Sequence, residues 1–277
     1  MTRQAVVLAR GLGTRMRTGD PDARLTDAQR DAADSGHKAM MPIHGRPFLD
    51  YLLSAIADAG ITRVALVVAP DHDALRRYYE ETARPSRVRV VFLVQPEARG
   101  TADAVLVAAA WTEGRPFLVM NADNLYPVAA LRDLAALDAP GLPAFDADDL
   151  VSTGNIAPHR IASFALLEID RDGYLTRIVE KPTSPHPPTP NLQPPTSNLH
   201  PPVSMNLWRF DSSIFDACRD VPRSIRGEFE LPEAVALALT RGARFKAIAA
   251  RGPVLDLSRR ADAADVERRL AGVEARP

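Results

Sequence analysis

Cysteine is almost missing from this chain. Cys218 is the only one in 277 residues, which excludes an internal disulfide and a cysteine-rich metal site. An excess of charge of either sign is missing too: 34 basic side chains face 35 acidic ones, for a net charge of -1. Neither nucleic acid nor an anionic membrane is indicated as a partner. No apolar run approaches the roughly 20 residues that span a bilayer. The chain enters its first apolar run at residue 5 with no apolar leader before it. A soluble cytoplasmic protein is therefore expected. The six histidines have no metal-ligand spacing and are assigned no role, and Ser152, Ser163 and Cys218 have no base partner that would make a nucleophile.

Apolar residues are plentiful, at 46%, enough for the core of a single large α/β domain over 1–277. The most informative stretch is 8–17, Leu8-Ala9-Arg10-Gly11-Leu12-Gly13-Thr14-Arg15-Met16-Arg17, which follows the apolar run 5–8. A glycine-bearing loop straight after a buried strand is where α/β proteins cradle phosphate. Gly11 and Gly13 let the backbone approach closely with its N–H groups exposed. Thr14 adds a hydroxyl donor, and Arg15 a charge that can fork two phosphate oxygens. Taken alone, such a loop is equally well a simple turn.

Strands and helices alternate through the first half. Strands are predicted over 5–8, 63–69, 88–94 and 116–120, and helices over 48–59, 72–82 and 102–111. This rhythm predicts a Rossmann-like, doubly wound, mostly parallel sheet. Ligands of such sheets sit at the carboxyl ends of the strands, where the loops after residues 8, 94 and 120 fall. Two segments break the rhythm. Residues 16–37 are polar and charged, with a short capped helix predicted over 26–34. Residues 182–202 hold nine prolines and a tandem duplication, Thr189–Pro195 followed by Thr196–Pro202, identical at five of seven positions. Such a tract is expected to be an extended loop, a tolerated expansion more than a proline-recognition ligand.

Five further segments give the first loop a context. Lys38-Ala39-Met40-Met41-Pro42-Ile43 is followed by Gly45-Arg46-Pro47. Gln95-Pro96 leads to Gly100-Thr101-Ala102-Asp103-Ala104. Asn121-Ala122-Asp123-Asn124 closes the fourth strand. Glu180-Lys181-Pro182 comes next, then Gly227-Glu228-Phe229-Glu230-Leu231 with Leu255-Asp256. In order and spacing these resemble the sugar-1-phosphate nucleotidylyltransferases, the NTP transferases that make nucleotide sugars, over nearly the whole chain. The resemblance implies a three-layer α/β/α nucleotidyltransferase fold of GT-A-like form. The chain ends in one predicted helix, 262–270 within 258–277, so the C-terminal β-helix of bifunctional members, and a second activity such as acyl transfer, are not expected.

The implied reaction is attack of a sugar-1-phosphate oxygen on the α-phosphorus of an NTP, with loss of pyrophosphate. Its demands are positioning and charge neutralisation. By resemblance, Leu8, Ala9, Arg10, Gly11, Gly13, Thr14, Gln95, Gly100 and Thr101 bind the nucleotide. Gln95 reads the base, uracil or thymine in the family, although a glutamine can also read parts of guanine. Arg15 is placed on the β- and γ-phosphates, Lys38 on the α-phosphate or leaving group, and Lys181 on the sugar phosphate. Glu180 faces sugar hydroxyls, with Ala165 and Asn206 at further sugar-contact positions. Asp123 and Asp256 are the candidate Mg²⁺ ligands, since Mg²⁺ takes one or two carboxylates plus phosphate oxygens and water. The alternatives are helix capping for Asp123 and a structural ion pair for Asp256. Many relatives are homo-oligomers; nothing in the chain fixes its own state.

Three features depart from the family pattern. Arg10 stands where glycine or alanine is usual, which puts nucleotide preference in doubt. The 22 residues between Arg15 and Lys38 exceed those of compact members, and form either a lid or a peripheral excursion. Ala165 and Asn206 replace glycines of the sugar pocket, which points to an acceptor other than plain glucose 1-phosphate, such as an unusual hexose, heptose or cyclitol phosphate. They also keep open nucleotidyl transfer from CTP onto phosphocholine or a polyol phosphate. A non-catalytic nucleotide-sugar sensor predicts loss of Arg15, Lys38, Asp123 or Asp256, and all four are present.

Overall fold

Four short, β-branched apolar runs build the centre of the molecule. They are β1 (Gln4–Leu8), β2 (Arg63–Val68), β3 (Arg89–Val94) and β4 (Phe117–Asn121). They pair in parallel in the order β3-β2-β1-β4. Because successive strand residues point to opposite faces, each run feeds two cores. Ala5, Val7, Leu66 and Met120 join one, packed under the helices Phe48–Asp58 and Val128–Ala136. Val6, Ala65, Val67 and Val119 join the other, covered by Thr101–Val107, Ile214–Asp220 and Leu231–Thr240. Burial on both sides accounts for strands that read as unbroken apolar runs. This computed structural model describes residues 1–21, 23–179 and 201–277.

The expected doubly wound, mostly parallel α/β fold is therefore present, with an antiparallel extension on one flank. The further strands are β5 (Gly141–Phe145), β6 (Ala165–Ile169), β7 (Leu175–Val179), β8 (Val203–Ser204), β9 (Trp208–Phe210) and β10 (Lys246–Ala250). They continue the sheet in the order β4-β9-β5-β8-β6-β7, with β10 parallel to β5. Among the described residues no helix is long and apolar enough to cross a membrane.

The segment 16–37 is packed down. Thr26 caps the helix Asp27–Ser35 in a capping box with Gln29. Gln29 then reaches the Pro42 carbonyl and Glu267. Arg260, just before the C-terminal helix Asp262–Arg269, bonds the Met16 and Arg17 carbonyls and Asp34. Met16, Ala33, Leu257 and Val266 form a third core between them. The described part of this segment is held against the C-terminal helix by these contacts. The helix expected over 72–82 also differs: it runs Asp73–Arg77 and opens into a wider π-turn at Tyr78–Thr82. Two consecutive tyrosines, Tyr78 and Tyr79, both donate to the buried Asp50 carboxylate at 2.9 Å. Neighbours 100° apart on an α-helix cannot both face one carboxylate, and the wider turn lets them.

Phe117 stacks on Phe215 with ring centroids 5.4 Å apart and tilts against Phe210 at 6.1 Å. Phe117→Ala is expected to destabilise the protein by about 3–5 kcal/mol, read as a lowered urea midpoint with an unchanged slope.

Candidate active site

The carboxyl ends of β1, β2, β3 and β4 open into a cleft of about 320 Å³. Its walls come from Leu8–Leu12 and Thr14 after β1, His72 and Leu75 after β2, Gln95, Ala98, Gly100 and Thr101 after β3, and Asn121–Asp123 after β4. Gly36–Met40 and Glu228 complete it. Most of the residues expected to bind nucleotide thus share one cavity. Gly13 is the exception. It is buried, at φ +62°, and a Cβ there would lie 2.4 Å from the Gly36 carbonyl oxygen. Its work is to let the loop after β1 press onto the chain that leads into Lys38. Arg15 is exposed beside the cleft, with no partner among the described residues.

Lys38 and Asp123 meet on the cleft wall. Lys38 Nζ donates to Asp123 Oδ2 at 2.8 Å, with the side chains 17% and 22% exposed. The expected phosphate cation and the expected metal ligand therefore balance each other. The Asp123 Oδ1 atom has no partner among the described residues.

Asp256 lies directly behind Asp123, where the Leu257 amide bonds the Asp123 carbonyl at 2.8 Å. Its strand Leu255–Asp256 pairs with Asn124–Leu125, but its carboxylate is 6% exposed and does not line the cleft. Oδ1 accepts from Arg160 at 2.6 Å and from the Ser258 amide at 3.0 Å, and Oδ2 accepts from Asn124 at 3.2 Å. Arg160 also holds Asp262 at 3.0 Å. The geometry is that of a structural ion pair, which supplies the charge compensation a buried carboxylate requires. Among the described residues no group of three or more His, Cys, Asp or Glu could hold a metal.

At the other end of the cleft, Gln95 is 2% exposed and its orientation is set by chemistry. Its amide nitrogen sits 3.1 Å from the Gly100 carbonyl and 2.8 Å from Asp103 Oδ2. Both partners can only accept, so both amide hydrogens are spent and Oε1 is the group left to meet a ligand. Arg10 donates to the carbonyls of Gln95 and Pro96, each at 3.3 Å, and so ties the phosphate loop to this one. Gly100 has φ +115°, and a Cβ there would meet the Phe229 carbonyl oxygen at 2.3 Å. The Thr101 hydroxyl accepts from the Leu231 amide at 2.8 Å. The late Gly-Glu-Phe-Glu segment is thereby stitched to the Gln95–Thr101 loop.

The expected acceptor half is less complete. Ala165 is buried on β6, opposite Ser204, and Asn206 sits in a left-handed turn at φ +54°; neither lines the cleft. Asparagine is among the few residues other than glycine that adopt this backbone readily. Glu180, Lys181 and residues 182–200 of the proline-rich tract lie outside the described residues.

Reading the sequence missed Asp103, which orients Gln95, and Arg160, which holds Asp256. It also missed His37 and His72, both on the cleft wall. Asp103 lies inside a quoted motif, eight residues from Gln95, but no periodicity marks that contact. Burial, followed by the neighbouring His37, lowers His72 to about 4.

A family model described as nucleotidyl transferase matches residues 4–254. The chain is 28% identical over 267 residues to the UTP–glucose-1-phosphate uridylyltransferase AglF of Haloferax volcanii, covering 96% of each chain. It is 27% identical over 265 residues to a glucose-1-phosphate thymidylyltransferase of Streptomyces antibioticus, covering 96% of this chain and 65% of that relative. The fold is shared with the UTP-bound UGPase from Acinetobacter baumannii, at a TM-score of 0.74 and 18% identity over 99% of this chain and 96% of that one. It is also shared with a UDP-glucose pyrophosphorylase complexed with UDP-glucose, at a TM-score of 0.73 and 16% identity over 99% and 100%.

Arg160→Met would leave Asp256 and Asp262 buried without their cation. The expected loss is about 3–5 kcal/mol of stability, measured by urea unfolding, and a change of less than about 1 kcal/mol would refute the structural reading of this pair.

Proposed function

The chain belongs to the nucleotidyl transferase family, and from that premise we propose that it transfers a nucleotidyl group from an NTP to a sugar 1-phosphate. An oxygen of the sugar phosphate forms a bond to the α-phosphorus. The bond from that phosphorus to the bridging oxygen of the β-phosphate breaks, and pyrophosphate leaves with the electron pair. The observation that carries this reading is the cleft itself. A glycine loop, the Lys38–Asp123 pair and a polarised Gln95 amide share one cavity at the carboxyl ends of parallel strands.

The chain's own groups have distinct tasks in this scheme. Backbone amides of the loop after β1, with Thr14, cradle the phosphates. Lys38 exchanges Asp123 for a phosphate oxygen and neutralises charge near the α-phosphorus. Arg15, free among the described residues, adds a second cation. Mg²⁺ fits the donor set at Asp123, whose Oδ1 is open, with substrate phosphates and water completing its shell. When bound, it supplies charge neutralisation to the phosphates. Asp256 stands behind this position and shares Arg160 with Asp262.

The base is uracil or thymine. Gln95 Oε1 is an acceptor that complements the N3–H of these two bases, as it would the N1–H of guanine, whereas N3 of cytosine carries a lone pair and is repelled. The uridylyl and thymidylyl transfers in the names of the relatives support the same choice.

The test is pyrophosphate release with Mg²⁺, crossing UTP, dTTP, CTP, ATP and GTP with a panel of sugar 1-phosphates, phosphocholine and polyol phosphates. The departures at Ala165 and Asn206 are the reason for a panel wider than glucose 1-phosphate. Turnover is expected with UTP or dTTP in preference to CTP. Lys38→Ala and Asp123→Asn are each expected to lower kcat/KM by about 10²–10³-fold, the range for deleting one electrostatic group at developing charge. Turnover with no pair would reject the reaction, and CTP with a non-sugar phosphate as the best pair would replace it.

A further inference from the structure

One wall of the cleft has no task in this scheme. His72 stands four residues beyond the end of β2, just before the helix Asp73–Arg77, and is 8% exposed. Its Nδ1 is fully buried with no hydrogen-bond partner. His37, next to Lys38, packs against it edge to face, with ring centroids 4.6 Å apart at 76°. Both line the cleft.

A buried imidazole nitrogen without a partner asks for an explanation. With a proton on Nδ1, the ring would bury an unsatisfied donor, the costlier of the two orphans. The form that fits carries a lone pair on Nδ1 and its proton on Nε2. Nε2 is not among the buried orphan atoms, so it is the ring nitrogen with access to the cleft. The ring is neutral near pH 7: burial and His37 lower its pKa to about 4, Arg10 and Arg76 act in the same sense, and only Asp71 opposes. The cleft therefore has a neutral N–H donor on this wall.

Topology gives the level at which that donor acts. The amides of Ala9 and Gln95 bond the carbonyls of Val67 and Val68, so the loops after β1 and β3 both close onto the end of β2. The residues that follow β2 stand between them. On one side is Gln95, with its acceptor Oε1. On the other, through His37, is Lys38, at the phosphate level. What lies between base and phosphate is the ribose, beside the sugar-proximal carbonyl of the base.

We propose that His72 is a specificity-determining residue of the nucleotide subsite, donating from Nε2–H to an oxygen of the nucleoside, a pyrimidine carbonyl or the ribose 2′-hydroxyl. This inference rests on the nucleotidyl-transfer reading above. Gln95 as acceptor and His72 as donor together match a ligand that offers N–H on one side and an oxygen on the other.

The experiment is calorimetric titration of UTP and 2′-deoxy-UTP, with Mg²⁺, into wild type, His72→Phe and His72→Asn. Phenylalanine keeps the ring against His37 without a donor, and asparagine restores one. His72→Phe is expected to weaken UTP binding roughly 5–10-fold, the range of one neutral hydrogen bond, with Tm and the KM for sugar phosphate unchanged and partial recovery in His72→Asn. If the oxygen is the 2′-hydroxyl, wild type binds 2′-deoxy-UTP as weakly as His72→Phe binds UTP. If it is a base carbonyl, wild type binds both alike and the variant loses affinity for both. Nitrogen-15 NMR of wild type supplies a readout that needs no variant. His72 should be the neutral Nε2–H form, with its Nε2 resonance shifting on UTP addition. A folded His72→Phe that binds UTP like wild type, or an Nε2 resonance that UTP does not move, overturns the proposal. Wild type that binds no nucleoside triphosphate overturns the nucleotidyl-transfer reading instead.

Discussion

The ion pair between Lys38 and Asp123 is the constraint around which this site is arranged. Both side chains are largely withdrawn from water, so neither can release the other without leaving a bare charge on the wall. A polyanion draws the lysine and leaves the aspartate exposed to like charge. A cation draws the aspartate and strands the lysine. Only a ligand that brings both signs satisfies both partners, and a metal-bound nucleotide is such a ligand on the reading proposed. The same pair leaves opposite charges matched on the cleft wall.

Around that pair the cleft is assembled by backbone approach more than by side-chain packing. Gly13 admits the chain at Gly36, and Gly100 admits the chain at Phe229; a Cβ at either would sit inside van der Waals contact. Arg10 spans from the phosphate loop to the carbonyls of Gln95 and Pro96. Three loops from distant parts of the sequence are thereby fixed to one another, and the Gln95 amide is oriented by a carboxylate in the first turn of the helix that follows. Position in this site is a property of the loops as a set.

The parallel half of the fold was legible because its strands are buried on both faces. Continuous apolar runs at 5–8, 63–69 and 116–120 have no other economical reading. In the antiparallel half β8 and β9 were not, because they are two and three residues long, too short for period-two alternation to register. At the site, Gly11, Gln95, Lys38 and Asp123 were legible from motif and order, and they line a common cleft. Asp256 was legible as a buried carboxylate but not as the partner of Arg160, a residue 96 positions away with no pattern to link them. His72 was passed over because a lone histidine has no spacing to read. Its meaning comes from an orphaned nitrogen, which only packing reveals.

The docking of Arg260 onto Met16, Arg17 and Asp34 bears on how the molecule is made. Met16 is synthesised 244 residues ahead of the arginine that seats it. At about 5–20 residues per second, the loop and the helix behind it wait many seconds for the partners that bury Met16 and Ala33. The four central strands all lie within the first half of the sequence, but two helices that cover one of their faces, Ile214–Asp220 and Leu231–Thr240, come later. Met16, Arg17 and Asp34 thus gain this anchor only once residue 260 has been made, although every residue that lines the cleft lies at or before Glu228.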